Sequence, residues 1–241
     1  MEQHTVRAEH SGLIPPPSFH PRAIDGSAKL MDQSYRLRYQ VYCVERQYLN
    51  VENYPDQRET DEFDADSVHV GAVDVNGDLV ATARVIKANG RGFPMFNYCA
   101  FAPNVQTLAQ PGVVPVEVSR VSISRTCVRP QRRRRSEPFL TLVKSIMQGA
   151  KRAGATHLIG PTDAAFHRWL VHYGLPYRKA GPEVDYYGPV APCIMSLQEL
   201  DEVILGRRYA SLEGFPVGWD PRVWPDYSSE YEGSAAVSSA A

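Results

Sequence analysis

The chain has 241 residues, with 26 Lys and Arg against 27 Asp and Glu, for a net charge of −1. A near-neutral total gives no whole-molecule basis for nucleic-acid or membrane-surface binding, and no apolar run approaches the roughly 20 residues of a membrane helix. A hydrophobic share of 43% and a charged share of 22% are ordinary for a soluble globular domain, and a chain this long buries a core without staples. The start of the chain has no basic segment followed by an apolar one, so no signal peptide is read, and a cytoplasmic location is expected.

Residues 1–27 are polar, with Pro15, Pro16 and Pro17 in a row, and read as an irregular arm. The folded domain is expected over 28–215, and residues 216–241, rich in Ser and Ala from Tyr227 on, read as a flexible tail. From 33 to 48 the absence of Gly and Pro among spaced aromatic and aliphatic residues predicts a helix. The acidic stretch 49–66 reads as a loop. Residues 68–75 and 79–86 flank Asn76-Gly77, a strong hairpin signal. Residues 89–112 are loop-like, and 113–123 predict another strand.

An arginine-rich loop follows. Ser136, Glu137 and Pro138 form a helix start. Phe139, Leu142, Val143, Ile146, Met147 and Ala150 then line one helical face, and Gly154 closes the helix. A short strand over 156–159 precedes a second helix capped by Thr162 or Asp163 and ended by Gly174. Two strands near 183–187 and 191–197 complete the pattern. This order predicts an α/β (α+β) architecture with a mixed central sheet flanked by helices, part antiparallel through the hairpin and part parallel through a right-handed crossover.

Four patterns in this order carry a resemblance. They are Leu37-Arg38-Tyr39-Gln40-Val41-Tyr42 with Tyr48; Glu59-Thr60-Asp61-Glu62-Phe63-Asp64 with Arg84; Glu117-Val118-Ser119-Arg120; and Tyr187-Gly188-Pro189-Val190-Ala191-Pro192. Over about 30–200 the chain resembles the acyl-homoserine-lactone synthases. It is more similar still to the PEP-CTERM/exosortase-associated acyltransferases and long-chain N-acyl amino acid synthases. The resemblance implies a GNAT-like acyl-CoA N-acyltransferase fold. It also implies transfer of a long acyl group from an acyl-carrier protein thioester to the amine of an amino acid or similar small acceptor. Acetyl-CoA-dependent members carry a Gly-rich turn before the central helix, whose N–H groups hold the pyrophosphate. The matching stretch here, residues 129–136, has no glycine, which fits a carrier-protein donor better than CoA.

The resemblance implies catalytic roles for Glu117, Ser119 and Arg120 and acceptor-binding roles for Arg38, Tyr48, Asp61, Asp64 and Arg84. Glu117 lies in an apolar strand, where burial raises a carboxylate into the range of a general base. It reads equally as a charge partner of Arg120 or a solvent-facing residue. Arg84 and Arg120, on inner strands, need carboxylate partners, with Asp61 and Asp64 the obvious ones. The cluster is either an acceptor clamp or an ion network that pins the acidic loop. Tyr42 is expected in the core.

Arg125, Arg129, Arg132, Arg133, Arg134 and Arg135 sit in a stretch with no Asp or Glu from 118 to 136. Carrier proteins are acidic, so this run reads as a docking patch and phosphate site. A solvated loop and a nucleic-acid patch are the alternatives, the last disfavoured by the absence of interleaved aromatics. Cys43, Cys99, Cys127 and Cys193 are scattered and read as packed hydrophobes rather than a disulfide or metal set. Cys127 beside arginines admits a covalent mechanism, ranked below direct attack by the amine. The seven histidines form no zinc motif, so no metal and no tightly bound cofactor are expected, the thioester being a substrate. The alternatives in function are a lactone synthase using S-adenosylmethionine, a CoA-dependent N-acetyltransferase, and a non-catalytic module that binds carrier protein.

Overall fold

Residues 18–103, 105–125 and 137–206 are described by the computed structural model. Cys127, Ser136, Arg129, the run Arg132 to Arg135 and the tail lie outside them. One sheet carries the fold. Its strands are β1 (Phe19–Ala23), β2 (Ser67–Asp74), β3 (Leu79–Lys87), β4 (Pro115–Ile123), β5 (His157–Asp163), β6 (Arg178–Lys179), β7 (Val184–Asp185) and β8 (Pro189–Ser196). The order is β1-β2-β3-β4-β5-β8-β6, with β7 paired to β8. Among the described residues only the β4–β5 pair is parallel, and the helix α2 (Glu137–Arg152) lies in the crossover between them.

The two faces are covered differently. Alternate residues Val70, Val85, Val116, Leu158 and Met195 join the apolar side of α2 in the main core. The helices α3 (Ala164–His172) and α4 (Leu197–Leu205) contribute Leu170, Leu200 and Ile204 to the same cluster. On the opposite face, Ile86, Ile159 and Ile194 pack against Phe93, Met95 and Cys99 of the long 88–114 connection. The helix α1 (Ala28–Tyr39) lies over β3 and β4 on that second side, with the Ser34 hydroxyl 2.8 Å from that of Thr82.

Several expectations are corrected. The arm is not wholly irregular: Phe19–Ala23 adds an edge strand antiparallel to β2. Pro21 is tolerated there because an edge strand has one unpaired side. Helix α1 begins five residues earlier than predicted, where the Ser27 side chain accepts from the Leu30 amide at 3.3 Å. Its buried side holds Ser34 and Arg38, so apolar spacing could not fix its start. Past Tyr39 the helix widens into a π-turn over Gln40–Glu45, a distortion that concentrates at functional sites. Helix α4 was not expected, although Ser196 and Glu199 form the S-x-x-E capping pattern and the Ser196 hydroxyl accepts from the Glu199 amide. Asp163 caps α3 as expected, accepting from the Phe166 amide at 2.8 Å. Cys43, Cys99 and Cys193 are buried and unpaired.

Candidate active site

The sheet opens where β4 and β5 part. They share register only from Pro115↔His157 to Glu117↔Ile159, although β4 runs on to Ile123 and β5 to Asp163. Two features force the separation. Between Thr82 and Arg84 the β3–β4 register slips, and Arg120 takes φ +52, a left-handed conformation uncommon outside glycine; together they make a bulge that bends β4. Gly160 sits opposite, and a Cβ there would lie 2.8 Å from the Val118 carbonyl oxygen and 3.2 Å from the Tyr177 hydroxyl.

A cavity of about 1160 Å³ passes through this fork, somewhat larger than ordinary ligand sites. One end is polar and lined by Asp61, Arg84, Glu117, Ser119 and Arg120. The other is apolar, walled by Phe139, Leu142 and Val143 of α2 with Phe166 and Trp169 of α3. The Phe139 and Trp169 ring centroids are 4.0 Å apart.

Glu117 is 2% exposed. Among the described residues its carboxylate pairs with no arginine; it accepts the Met95 amide at 3.0 Å. Burial pushes its pKa up to about 7, against the pull of the Met95 N–H and the charges of Arg84 and Arg120. A carboxyl group so placed exchanges a proton near neutrality. Both alternatives for this residue, ion-pair partner and solvent-facing side chain, are thereby excluded.

Arg38, Arg84 and Arg120 converge on Glu59, Asp61 and Asp64. Arg38 reaches Glu59 at 2.6 Å and both Asp64 oxygens at 2.7 and 3.2 Å. Arg84 grips both oxygens of Asp61 and reaches Asp64 at 2.9 Å, while its Nε donates to the Ser119 hydroxyl at 3.1 Å. Arg120 donates to Glu59 at 3.0 Å and Asp61 at 2.9 Å. Burial alone would raise the Asp64 pKa, but hydrogen bonds from His69 and Arg38 outweigh it and hold the carboxyl well below the usual range. Burial likewise opposes the Arg120 charge, and Glu59 and Asp61 restore it.

The predicted cluster therefore forms, as an internally satisfied ion network. Arg38 and Arg84 are both 1% exposed, and Arg84 is committed to Asp61 and Asp64. Only Arg120, bulged and facing the cavity, keeps a nitrogen (Nη1) without a hydrogen-bond partner among the described residues. Ser119 lines the cavity but serves Arg84 as an acceptor. Glu59, His69 and Asp25 were missed. Glu59 opens the motif that runs to Asp64, but it was not assigned a site role, since nothing in sequence marks it as buried.

Tyr42 is not a core residue: it lines the cavity beneath the Arg120 guanidinium, 5.3 Å from its ring centroid. Tyr48 stacks on Tyr187 at 5.7 Å, and Tyr186 stacks on Tyr98 at 4.0 Å. These tyrosines make one aromatic wall around the polar end. Tyr187 holds φ +57 in the turn before Gly188, a strained presentation of the kind found at binding sites. Arg125 is at the cavity rim, paired with Glu45 at 2.8 Å.

Residues 37–143 match the family model of the acetyltransferase (GNAT) domain. The fold is similar to solved structures that include TofI in a ternary complex with an inhibitor and MTA. There the TM-score is 0.58 at 20% identity, covering 86% of this chain and 99% of that one. It is similar to BjaI, a CoA-dependent acyl-homoserine lactone synthase, with SAM and isopentyl-CoA (TM-score 0.56, 16% identity, 79% and 90% covered). It is also similar to FeeM, an N-acyl amino acid synthase from uncultured soil microbes (0.54, 16%, 77% and 93%). The chain thus has the GNAT-like fold, and β4 with its bulge, the buried Glu117 and most of the ion network fall inside the stretch that matches the acetyltransferase domain, while β5, the other side of the fork, lies beyond it.

Proposed function

We propose that the protein is an N-acyltransferase that moves a long-chain acyl group from an acyl-carrier protein thioester to the amine of an amino acid or similar small acceptor. The observation that carries this reading is Glu117: a buried carboxylate with a pKa of about 7 at the fork of a cavity that is polar on one side and apolar on the other. The acyl chain occupies the Phe139, Leu142 and Trp169 end. The thioester carbonyl lies between β4 and β5, where backbone N–H groups released from pairing polarise it. The acceptor enters by the tyrosine wall. Glu117 takes one proton from the acceptor ammonium, directly or through a water, and the free amine attacks the carbonyl carbon. The C–N bond forms, the C–S bond breaks, and the thiolate leaves to be protonated. Arg120 is the cation nearest to hand for an acceptor carboxylate. Arg125 and the arginines beyond it offer an acidic carrier protein a basic approach. No helix of the described residues is long and apolar enough to cross a membrane.

Acyl-homoserine-lactone formation is the second reading, favoured by the likeness to solved synthases and by the arginine–carboxylate cluster beside the acceptor end. One assay separates the readings. The purified protein is incubated with carrier-protein and CoA thioesters, mixed amino acids and S-adenosylmethionine, and products are weighed by mass spectrometry. A carrier-dependent linear N-acyl amino acid supports the proposal. A lactone supports the second reading. If no thioester is consumed while carrier protein still binds, the catalytic proposal fails.

A further inference from the structure

Behind the ion network lies a residue that the transfer reaction does not use. His69 of β2 is buried between two carboxylates: Nδ1 is 2.8 Å from Asp25 Oδ1 and Nε2 is 3.1 Å from Asp64 Oδ1. A neutral imidazole has one N–H. With an ionised carboxylate at each nitrogen, a neutral ring would set one lone pair against another, so the geometry favours the doubly protonated ring. The charges then balance, with Arg38, Arg84, Arg120 and His69 facing Asp25, Glu59, Asp61 and Asp64. Other groups near the ring are consistent with this. Arg84 is its cross-strand neighbour, with Asp64 bridging the two cations, and Tyr35 of α1 stands edge-on at 6.2 Å with Arg38 over its far side.

The connection reaches the cavity. Asp25 also accepts the His69 backbone amide, which ties the end of β1 to β2. Asp64 takes the Asp61 amide at 2.9 Å, and Asp61 takes the Phe63 amide at 2.9 Å. Asp61 and Phe63 line the cavity. We infer that His69, as an imidazolium clamped by Asp25 and Asp64, is a positioning residue that locks turn 61–64 against the acceptor end of the cavity, and that this lock opens when the ring loses its second proton. The link to the acceptor rests on the acyl-transfer reading; the lock does not. Burial opposes the charge on His69, but the bonds to Asp25 and Asp64 outweigh it and raise its pKa. A raised value means that the stabilisation is complete below the ordinary value of about 6.5 and is lost as pH rises through the folded-state value.

The test uses the full chain with isotope-labelled histidine, the ring signals assigned with His69→Gln. Both ring nitrogens of His69 should be protonated at pH 7, with a midpoint above that of a free histidine, and Asp25→Asn should lower it. Amide exchange at Asp61 and Phe63, corrected for intrinsic base catalysis, should accelerate about tenfold or more across that same midpoint. In His69→Gln the step should vanish and exchange be fast throughout. A neutral ring at pH 7, or exchange with no step at the midpoint, overturns the proposal. If His69→Gln does not fold, the titration and exchange of the unaltered chain still decide. Where acyl transfer is measurable, the acceptor KM should rise across the midpoint with the thioester KM unmoved; a thioester KM that rises with it would overturn the acceptor-side placement. Failure to transfer any acyl group counts against the function alone.

Discussion

Glu117 and Ile159 form the last rung that β4 and β5 share, so a buried carboxylate free of arginine partners among the described residues stands where the sheet splits. Paired strands on one side of it and separated strands on the other bring the proton acceptor to the place where a thioester must enter. Replacing Glu117 by Gln keeps the shape and removes the base. The expected loss in kcat is about 10²–10⁴-fold, with KM nearly unchanged. In the unaltered enzyme, kcat/KM should rise with pH through about 7 as Glu117 ionises, and that limb should be missing from Glu117→Gln. A variant that keeps both its rate and its limb would remove Glu117 from the chemistry.

The same residue should cost stability. Folding raises its pKa from 4.5 to about 7, so the native state holds the proton more tightly than the unfolded chain. Stability contributed by this group is full below pH 4.5 and declines as pH rises to about 7. The shift corresponds to a penalty on the order of 3 kcal/mol above that range. Glu117→Gln should therefore melt higher than the unaltered protein at pH 8 and show no such advantage at pH 4. Thermal melts at both values check the sign.

The elements legible in sequence were those whose burial is apolar. Asn76-Gly77 marked the hairpin, and the spacing from Phe139 to Ala150 marked α2. Helix α1 was misplaced because Ser34 and Arg38 are what it buries, and β1 was hidden by Pro21. In the site, Glu117, Asp61, Asp64, Arg84 and Arg120 were identified through motif order. The pairing of Arg84 with Asp61 and Asp64, 23 and 20 residues away, was legible from the need of a buried arginine for carboxylates; that it leaves Arg84 no nitrogen for an acceptor was not, because side-chain geometry is absent from sequence. His69 carried no signal at all: one histidine in an apolar strand looks the same whether it packs neutral or bridges two acids.

Arg84 is the keystone of the network. Removing it leaves Asp61 and Asp64 partly buried with fewer cations, and breaking one side of a buried ion network costs roughly 3–5 kcal/mol. Arg84→Met should lower the denaturation midpoint accordingly. Arg84→Lys should recover only part of the loss, since an ammonium cannot grip Asp61 with two nitrogens and reach Ser119 as well. Urea unfolding of the three proteins orders them; equal midpoints would show that the network adds little.

Leu142 is fully buried and lines the apolar end of the cavity. Enlarging it to Phe fills space that a long acyl chain needs. Selection by apolar volume is worth about 1–3 kcal/mol per methylene at most, so the expected outcome is a roughly 10–200-fold fall in kcat/KM for the longest accepted acyl group, with short thioesters nearly unaffected. Turnover measured across a ladder of carrier-protein thioesters reads this directly. A uniform loss at every length would place the acyl chain elsewhere.

Tyr187 separates strain from contact. Its φ of +57 costs a non-glycine residue about 1–2 kcal/mol, while its ring, 46% exposed, stacks on Tyr48 and abuts Tyr186. Tyr187→Ala keeps the strain and loses the ring; Tyr187→Gly loses both. The Gly variant should therefore be the more stable of the two by roughly 1 kcal/mol, yet both should bind the acceptor equally poorly, with KM raised and kcat at saturation little altered. The pair of substitutions assigns the two effects to different atoms of one residue. Equal stability would mean that the turn relaxes without cost, and an unchanged KM would move the acceptor away from the tyrosine wall.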